Sequence, residues 1–163
     1  MISKHNVPRR CLPRDRSQGT STIMGMPAKL QIPPDDTALD DVYGAIEESR
    51  RILDLPDDWD SEGSPAFAEA TWLRAADFLR RCASALWDRE SSVLPVPQIL
   101  PGPESSIDIH WQGSRRELLL NIPSDNDAPI TFYGDDYGQD KRKGQIEEGA
   151  PDLDLLTWLT ATD

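Results

Sequence analysis

The feature that most constrains this chain is a change of hydrophobic period at its middle. Over residues 65–89 apolar side chains recur at helical spacing. Trp72, Ala76, Leu79, Ala83 and Leu86 form one stripe, flanked by Leu73, Ala75, Phe78 and Cys82. Pro95, Pro97, Pro101 and Pro103 then forbid helix and mark an extended connection. Beyond them the period falls to two. In Ile107-Asp108-Ile109-His110-Trp111, and again from Glu117 to Ile122, apolar residues alternate with polar ones around a Gln112-Gly113-Ser114 turn. A chain with this switch has to place a helix layer on an antiparallel sheet, so the fold class is α+β.

The flanking segments complete the plan. Asp35 or Asp36 can cap a helix over about 37–54 that carries Leu39, Val42, Tyr43, Ile46 and Leu53 inward. Ser64 suits an N-cap and Pro65 a first helical position, which opens the second helix near 65. Ile130–Tyr133 reads as a third strand and Lys141–Glu148 as a lysine-bearing edge strand. Leu153 to Leu159 reads as a short terminal helix after Pro151. The expected architecture is two N-terminal helices on a three- or four-stranded antiparallel meander, closed by a short C-terminal helix.

Charge separates the chain into a tail and a body. Of 163 residues, 17 are Lys or Arg and 29 are Asp or Glu, a net charge of −12. Residues 1–31 hold six bases and one acid, which leaves 11 bases against 28 acids in the remainder, a balance of −17. The expected organisation is a basic, disordered tail over 1–34 and a single domain over 35–163. The tail reads as a basic arm for nucleic acid or for an acidic neighbour, as an idle extension, or as an over-called start with Met24 or Met26 as the real one. The acidic body argues against gripping a nucleic-acid backbone outside that tail. No run of about 18 apolar residues is present, and no apolar stretch suits a secretory signal, so no membrane partner is expected and the expected location is cytoplasmic. Cys11 and Cys82 form neither a disulfide framework nor a zinc spacing.

Few residues offer chemistry. From Asp58, the loop places Asp58, Asp60 and Glu62 at the first, third and fifth positions, Gly63 at the sixth and Glu69 at the twelfth, as a calcium loop of the EF-hand kind does. Pro65 at the eighth position and the lack of a second loop favour a Trp-anchored acidic turn instead. Trp59 in that turn is either an exposed anchor for a partner or a lid folded over Leu55 and Leu73. Asp108 and His110 share one face of a strand, as a base and its orienter would, but no nucleophile accompanies them. Asp135, Asp136 and Asp140 flank a glycine turn, which explains them without a cation. No phosphate loop, dinucleotide motif or hydrolase signature is present, so neither a catalytic residue nor a cofactor is assigned.

Leu55-Pro56, Trp59-Asp60, Gly63 and Pro65, followed by a helix, a proline-rich link and a strand ending Ile109-His110-Trp111, resemble a family of small uncharacterised bacterial proteins. The resemblance spans about 53–133. It implies the turn–helix–strand architecture and no activity, and His110 stands where that family more usually has an acid.

The residues expected to bind are Trp59, Asp60, Glu62, Asp108 and His110. The expected function is a non-catalytic acidic module for a basic protein partner, such as an immunity protein, antitoxin or accessory subunit of a bacterial or phage system. The alternatives are a phosphodiesterase-type enzyme holding Mg²⁺ or Mn²⁺ through Asp58, Asp60, Glu62, Asp108 and Asp136, and a domain stabilised by calcium at 58–69.

Overall fold

The computed structural model describes residues 37–138, 140–147 and 150–161, with the side chains of Thr37 and Ala38 left aside. The chain divides after residue 31, and all described residues belong to the unit 32–163. The expectations for the basic tail, and for a cap at Asp35 or Asp36, lie outside the described residues.

The helices are α1 (Thr37–Ser49), α2 (Glu69–Glu90) and α3 (Leu153–Thr160). The strands are β1 (Gln98–Pro101), β2 (Ile107–Gln112), β3 (Glu117–Ile122), β4 (Ile130–Asp135) and β5 (Lys141–Ile146). They form one five-stranded antiparallel sheet in the order β1-β2-β3-β4-β5. The α+β class and the meander agree with the sequence, while three element details differ.

First, the sheet has five strands rather than three or four. The added strand is β1, inside the proline-rich stretch read as a mere connection. It pairs only with β2, Pro101 lying opposite Ile107. A proline is tolerated there because an edge strand needs donors on one side only.

Second, the helix expected over 37–54 changes winding at Ser49. Residues Arg50–Asp54 continue as a 3₁₀ helix that buries Ile52. The Ser49 hydroxyl donates to the Ile46 carbonyl at 2.6 Å and so competes at the helix end.

Third, α2 begins at Glu69, not near Pro65. The four residues before it are extended at their end, with Ala68 at the N-cap and no capping side chain. Ser64 does not cap because its hydroxyl donates to Asp60 Oδ2 and its N–H to Asp60 Oδ1. The extended run instead carries Phe67 into the core, beside Trp59 with ring centroids 5.7 Å apart.

The α2 stripe is the centre of the core. Trp72, Ala75, Ala76, Phe78, Leu79, Cys82, Ala83 and Leu86 are all buried, whereas Leu73 faces solvent. They pack over Ile107, Ile109, Trp111, Leu118, Leu120 and Ile122 from one face of β2 and β3. Full burial of side chains such as Phe78, Leu79 and Leu86 contributes about 1.5–3 kcal/mol each. Burial also pushes the Cys82 thiol up to about 12, which keeps it unreactive.

Tryptophans tie the other elements to this centre. Trp72 Nε1 donates to Ser49 Oγ at 3.0 Å, and the Arg50 guanidinium lies 4.9 Å from the same ring. Trp111 Nε1 donates to the Pro95 carbonyl at 2.7 Å, fixing the segment before β1. Trp158 of α3 rests on β4 at Gly134, where any Cβ would fall 2.9 Å from its ring. Arg142 and Arg116 stand 4.9 and 5.5 Å from that ring. Arg116 also donates to the Trp158 and Ala161 carbonyls, closing the C-terminal end of α3.

Replacing Trp72 with Phe removes the indole donor that reaches across from α2 to Ser49, while leaving most of the apolar volume in place. Unfolding in urea should show a loss of about 1–3 kcal/mol. An unchanged midpoint would mean that the Trp72–Ser49 link contributes nothing to holding α1 in place.

Candidate functional site

The residues expected to bind fall into two places. Trp59, Asp60 and Glu62 lie in the loop 55–68 between α1 and α2, and Asp108 and His110 lie on β2. The two regions meet where Ser105 Oγ, just before β2, donates to the Pro65 carbonyl in the loop.

The loop is built from its own carboxylates. Asp57 Oδ1 accepts from Ala66 N at 2.7 Å, and Asp58 Oδ1 accepts from Gly63 N at 2.8 Å. Asp60 Oδ1 accepts from the N–H groups of Glu62 and Ser64, and Asp60 Oδ2 from the Ser64 hydroxyl. Asp58 N also donates to the Ser64 carbonyl at 2.7 Å. Asp58, Ser61 and Gly63 take positive φ, which only a tightly held turn sustains. Asp60 with Glu62 forms an Asx turn, in which the side chain does the work of a neighbouring carbonyl.

That architecture bears on the calcium reading. Asp58 and Asp60 aim oxygens at loop N–H groups, and Glu69 sits in the first turn of α2, paired with Arg50 at 3.0 Å. Among the described residues no group of three or more His, Cys, Asp or Glu side chains is gathered to hold a metal ion. Nor do the five carboxylates weighed for Mg²⁺ or Mn²⁺ share one place. Asp58, Asp60 and Glu62 are in the loop, Asp108 is on β2, and Asp136 accepts from Asp140 N at 2.7 Å in the β4–β5 turn. Trp59 is half-buried, its ring packed against Phe67 and the core. Its Nε1 has no hydrogen-bond partner among the described residues.

On the sheet, strand alternation sends Asp108 and His110 to the face away from α2. Register then sets their neighbours. Asp108 lies opposite Asn121, whose Nδ2 donates to Asp108 Oδ1 at 2.7 Å and to Ser106 Oγ at 2.8 Å. His110 lies opposite Leu119, and its Nε2 is 3.9 Å from Glu117 Oε2. Further along, Asp135 accepts from the Tyr133 hydroxyl at 2.9 Å and pairs with Lys141 at 3.2 Å. The Tyr133 hydroxyl, joined by Lys141 and the Tyr137 N–H, holds the Asp135 carboxyl below its usual range. Asp108 and His110 do not touch one another as a base and its orienter. Asp108 accepts from Asn121 on β3 and Asp135 from Tyr133, while His110 faces Glu117 on β3.

The acidic excess sits elsewhere. Residues 40–62 hold nine carboxylates against Arg50 and Arg51. Asp40, Asp41, Glu47, Glu48, Asp54, Asp57, Asp58 and Glu62 are all exposed. Sequence reasoning named Asp60 and Glu62 but missed Glu48 and Asp54, although counting acids along α1 would have found them. It also missed Asn121 and Glu117, which only the pairing of β2 with β3 brings to Asp108 and His110.

The Asp60 carboxyl titrates below its ordinary value of 3.8, chiefly because the Ser64 hydroxyl bonds to it, with the Glu62 N–H next. A carboxyl lowered in the fold stabilises it above the unfolded value, and that contribution fades as pH falls below 3.8. Amide exchange at Glu62 and Ser64 should therefore accelerate below about pH 4 relative to α2, and an Asp60→Asn variant should show the faster exchange already at neutral pH. Equal protection at pH 3 and pH 6 would deny Asp60 this role.

No protein-family model matches the chain, and neither the curated proteins nor the solved structures provide a match, so its function is read from its own geometry.

Proposed function

We propose that this chain is a non-catalytic acidic binding module that captures a basic protein partner through the surface of α1 and the loop that follows it. The observation that carries the reading is the concentration of nine carboxylates against two arginines over residues 40–62. Eight of those acids are exposed, on a helix and on a loop pinned by its own hydrogen bonds. Charge held on a rigid backbone needs no reordering when a partner arrives, so little entropy is lost on binding. Its field raises the encounter rate with a cationic surface.

The remaining features agree with binding rather than turnover. Asp108 and Asp135 on the sheet face accept hydrogen bonds within the fold, and the body cysteine is buried with a raised pKa. Inhibition of a toxin or nuclease by an immunity protein or antitoxin of a bacterial or phage system is capture of this kind, as is docking by an accessory subunit.

The test uses the full chain as bait in a lysate of its native cells. A basic protein should be retained at about 50 mM salt and released at about 0.5 M, where screening acts within a few ångströms. A triple variant, Glu48→Gln, Asp54→Asn and Glu62→Gln, changes three exposed acids whose side chains make no hydrogen bond among the described residues. It should fold normally and retain at least tenfold less partner. Retention of nothing at either salt, or equal retention by the variant, would overturn the reading.

A further inference from the structure

A cleft of about 340 Å³ opens where the segment 92–96, the tip of the β2–β3 hairpin and the end of α3 meet. Its volume is at the lower end of small-molecule sites, ~300–1,000 Å³. Val93, Val96, Trp111 and Leu159 contribute apolar lining. Val93 and Val96 are 46% and 51% exposed, which leaves apolar surface open in the cleft.

The charge of the lining runs against that of the chain. Twenty-eight acids outnumber eleven bases beyond residue 31, yet among the described residues the cleft is lined by Arg115 and Arg116 and by no carboxylate. Arg116 is committed to the end of α3. Arg115 is exposed, and it has no ion-pair or hydrogen-bond partner among the described residues. Several other surface arginines are paired with acids, as Arg50 is with Glu69, Arg81 with Asp77 and Arg142 with Asp140.

We propose that this cleft binds a small organic carboxylate, with its apolar body against Val93, Val96 and Trp111 and its carboxylate on the Arg115 guanidinium. A planar guanidinium meets a carboxylate with two parallel hydrogen bonds, which makes Arg115 a selector for that group rather than a general cation. The floor is stiff, because the Trp111 indole is tied to the Pro95 carbonyl and α3 is closed by Arg116. A ligand therefore enters a formed site. The inference does not depend on the acidic surface of α1, and the two stand or fall separately.

The experiment titrates the full ¹⁵N-labelled chain with phenylacetate and, as its uncharged counterpart, phenylacetamide. The Trp111 indole N–H resonance reports on the cleft. Phenylacetate should shift it with a dissociation constant on the order of 1 mM, and phenylacetamide should bind at least tenfold more weakly. Arg115→Gln, at an exposed turn position, should bring phenylacetate down to the level of the amide. Val96→Ser should weaken both ligands. Equal affinity for acid and amide, unaltered phenylacetate binding by Arg115→Gln, or no Trp111 shift up to about 20 mM would each overturn the proposal.

Discussion

Everything else in this molecule depends on one contact, the apolar stripe of α2 laid across the inner face of β2 and β3. Leu79, Ala83 and Leu86 meet Ile109, Leu118 and Leu120 with almost no exposed surface. A sheet covered on one face must send alternate residues to the other, so this packing decides that Asp108, His110, Leu119 and Asn121 look outward. It also leaves α1, the segment 91–97 and α3 to be added at the margins. Each is added through a tryptophan: Trp72 to Ser49, Trp111 to Pro95, and Trp158 onto Gly134 between two arginines. An indole suits this task because it fills apolar space and still offers one donor to the element it holds.

The same molecule handles its negative charge in two ways. Where a carboxylate is needed for shape, it accepts from nearby N–H groups, as Asp57, Asp58 and Asp60 do in the loop and Asp136 does in the β4–β5 turn. Where it is not needed for shape, it stands in solvent along α1, as Glu48 does. The arginines show a matching division. Arg74 leaves the helix surface to donate to the Pro123, Asp125 and Ala128 carbonyls, and so shapes the β3–β4 loop. Arg116 does the same for the end of α3, and Arg115 beside it is left over. The acidic surface and the basic cleft are both remainders after the fold has used the charges it requires.

The period change at the proline-rich link was legible because helical and strand spacings differ strongly over windows of this length. It placed β2 and β3 nearly to the residue and α2 except for its start. What misled was local chemistry with two valid uses. Ser64-Pro65 is a good helix opening in isolation, yet Asp60 takes the serine hydroxyl and the chain stays extended to bury Phe67. The prolines around 98–101 were read as an extended connection, and an edge position let that extended segment pair as a strand. The calcium spacing of Asp58, Asp60, Glu62 and Glu69 was real as spacing, but short-range N–H groups and Arg50 are the partners the fold supplies.

The amino-acid order by itself determined the α+β class, the position of the long helix, the hairpin and the acid-rich character of the body. These follow from periodicity, turn chemistry and charge, which act between residues close in the chain. Only the tertiary structure decided that Trp59 packs on Phe67, that Asp108 faces Asn121 and His110 faces Glu117, and that Arg115 lies at the cleft beside Val96 while Arg74 and Arg116 reach carbonyls. Those outcomes depend on strand register and on which carbonyls a guanidinium can reach across the fold, and such distances are created only when the core closes.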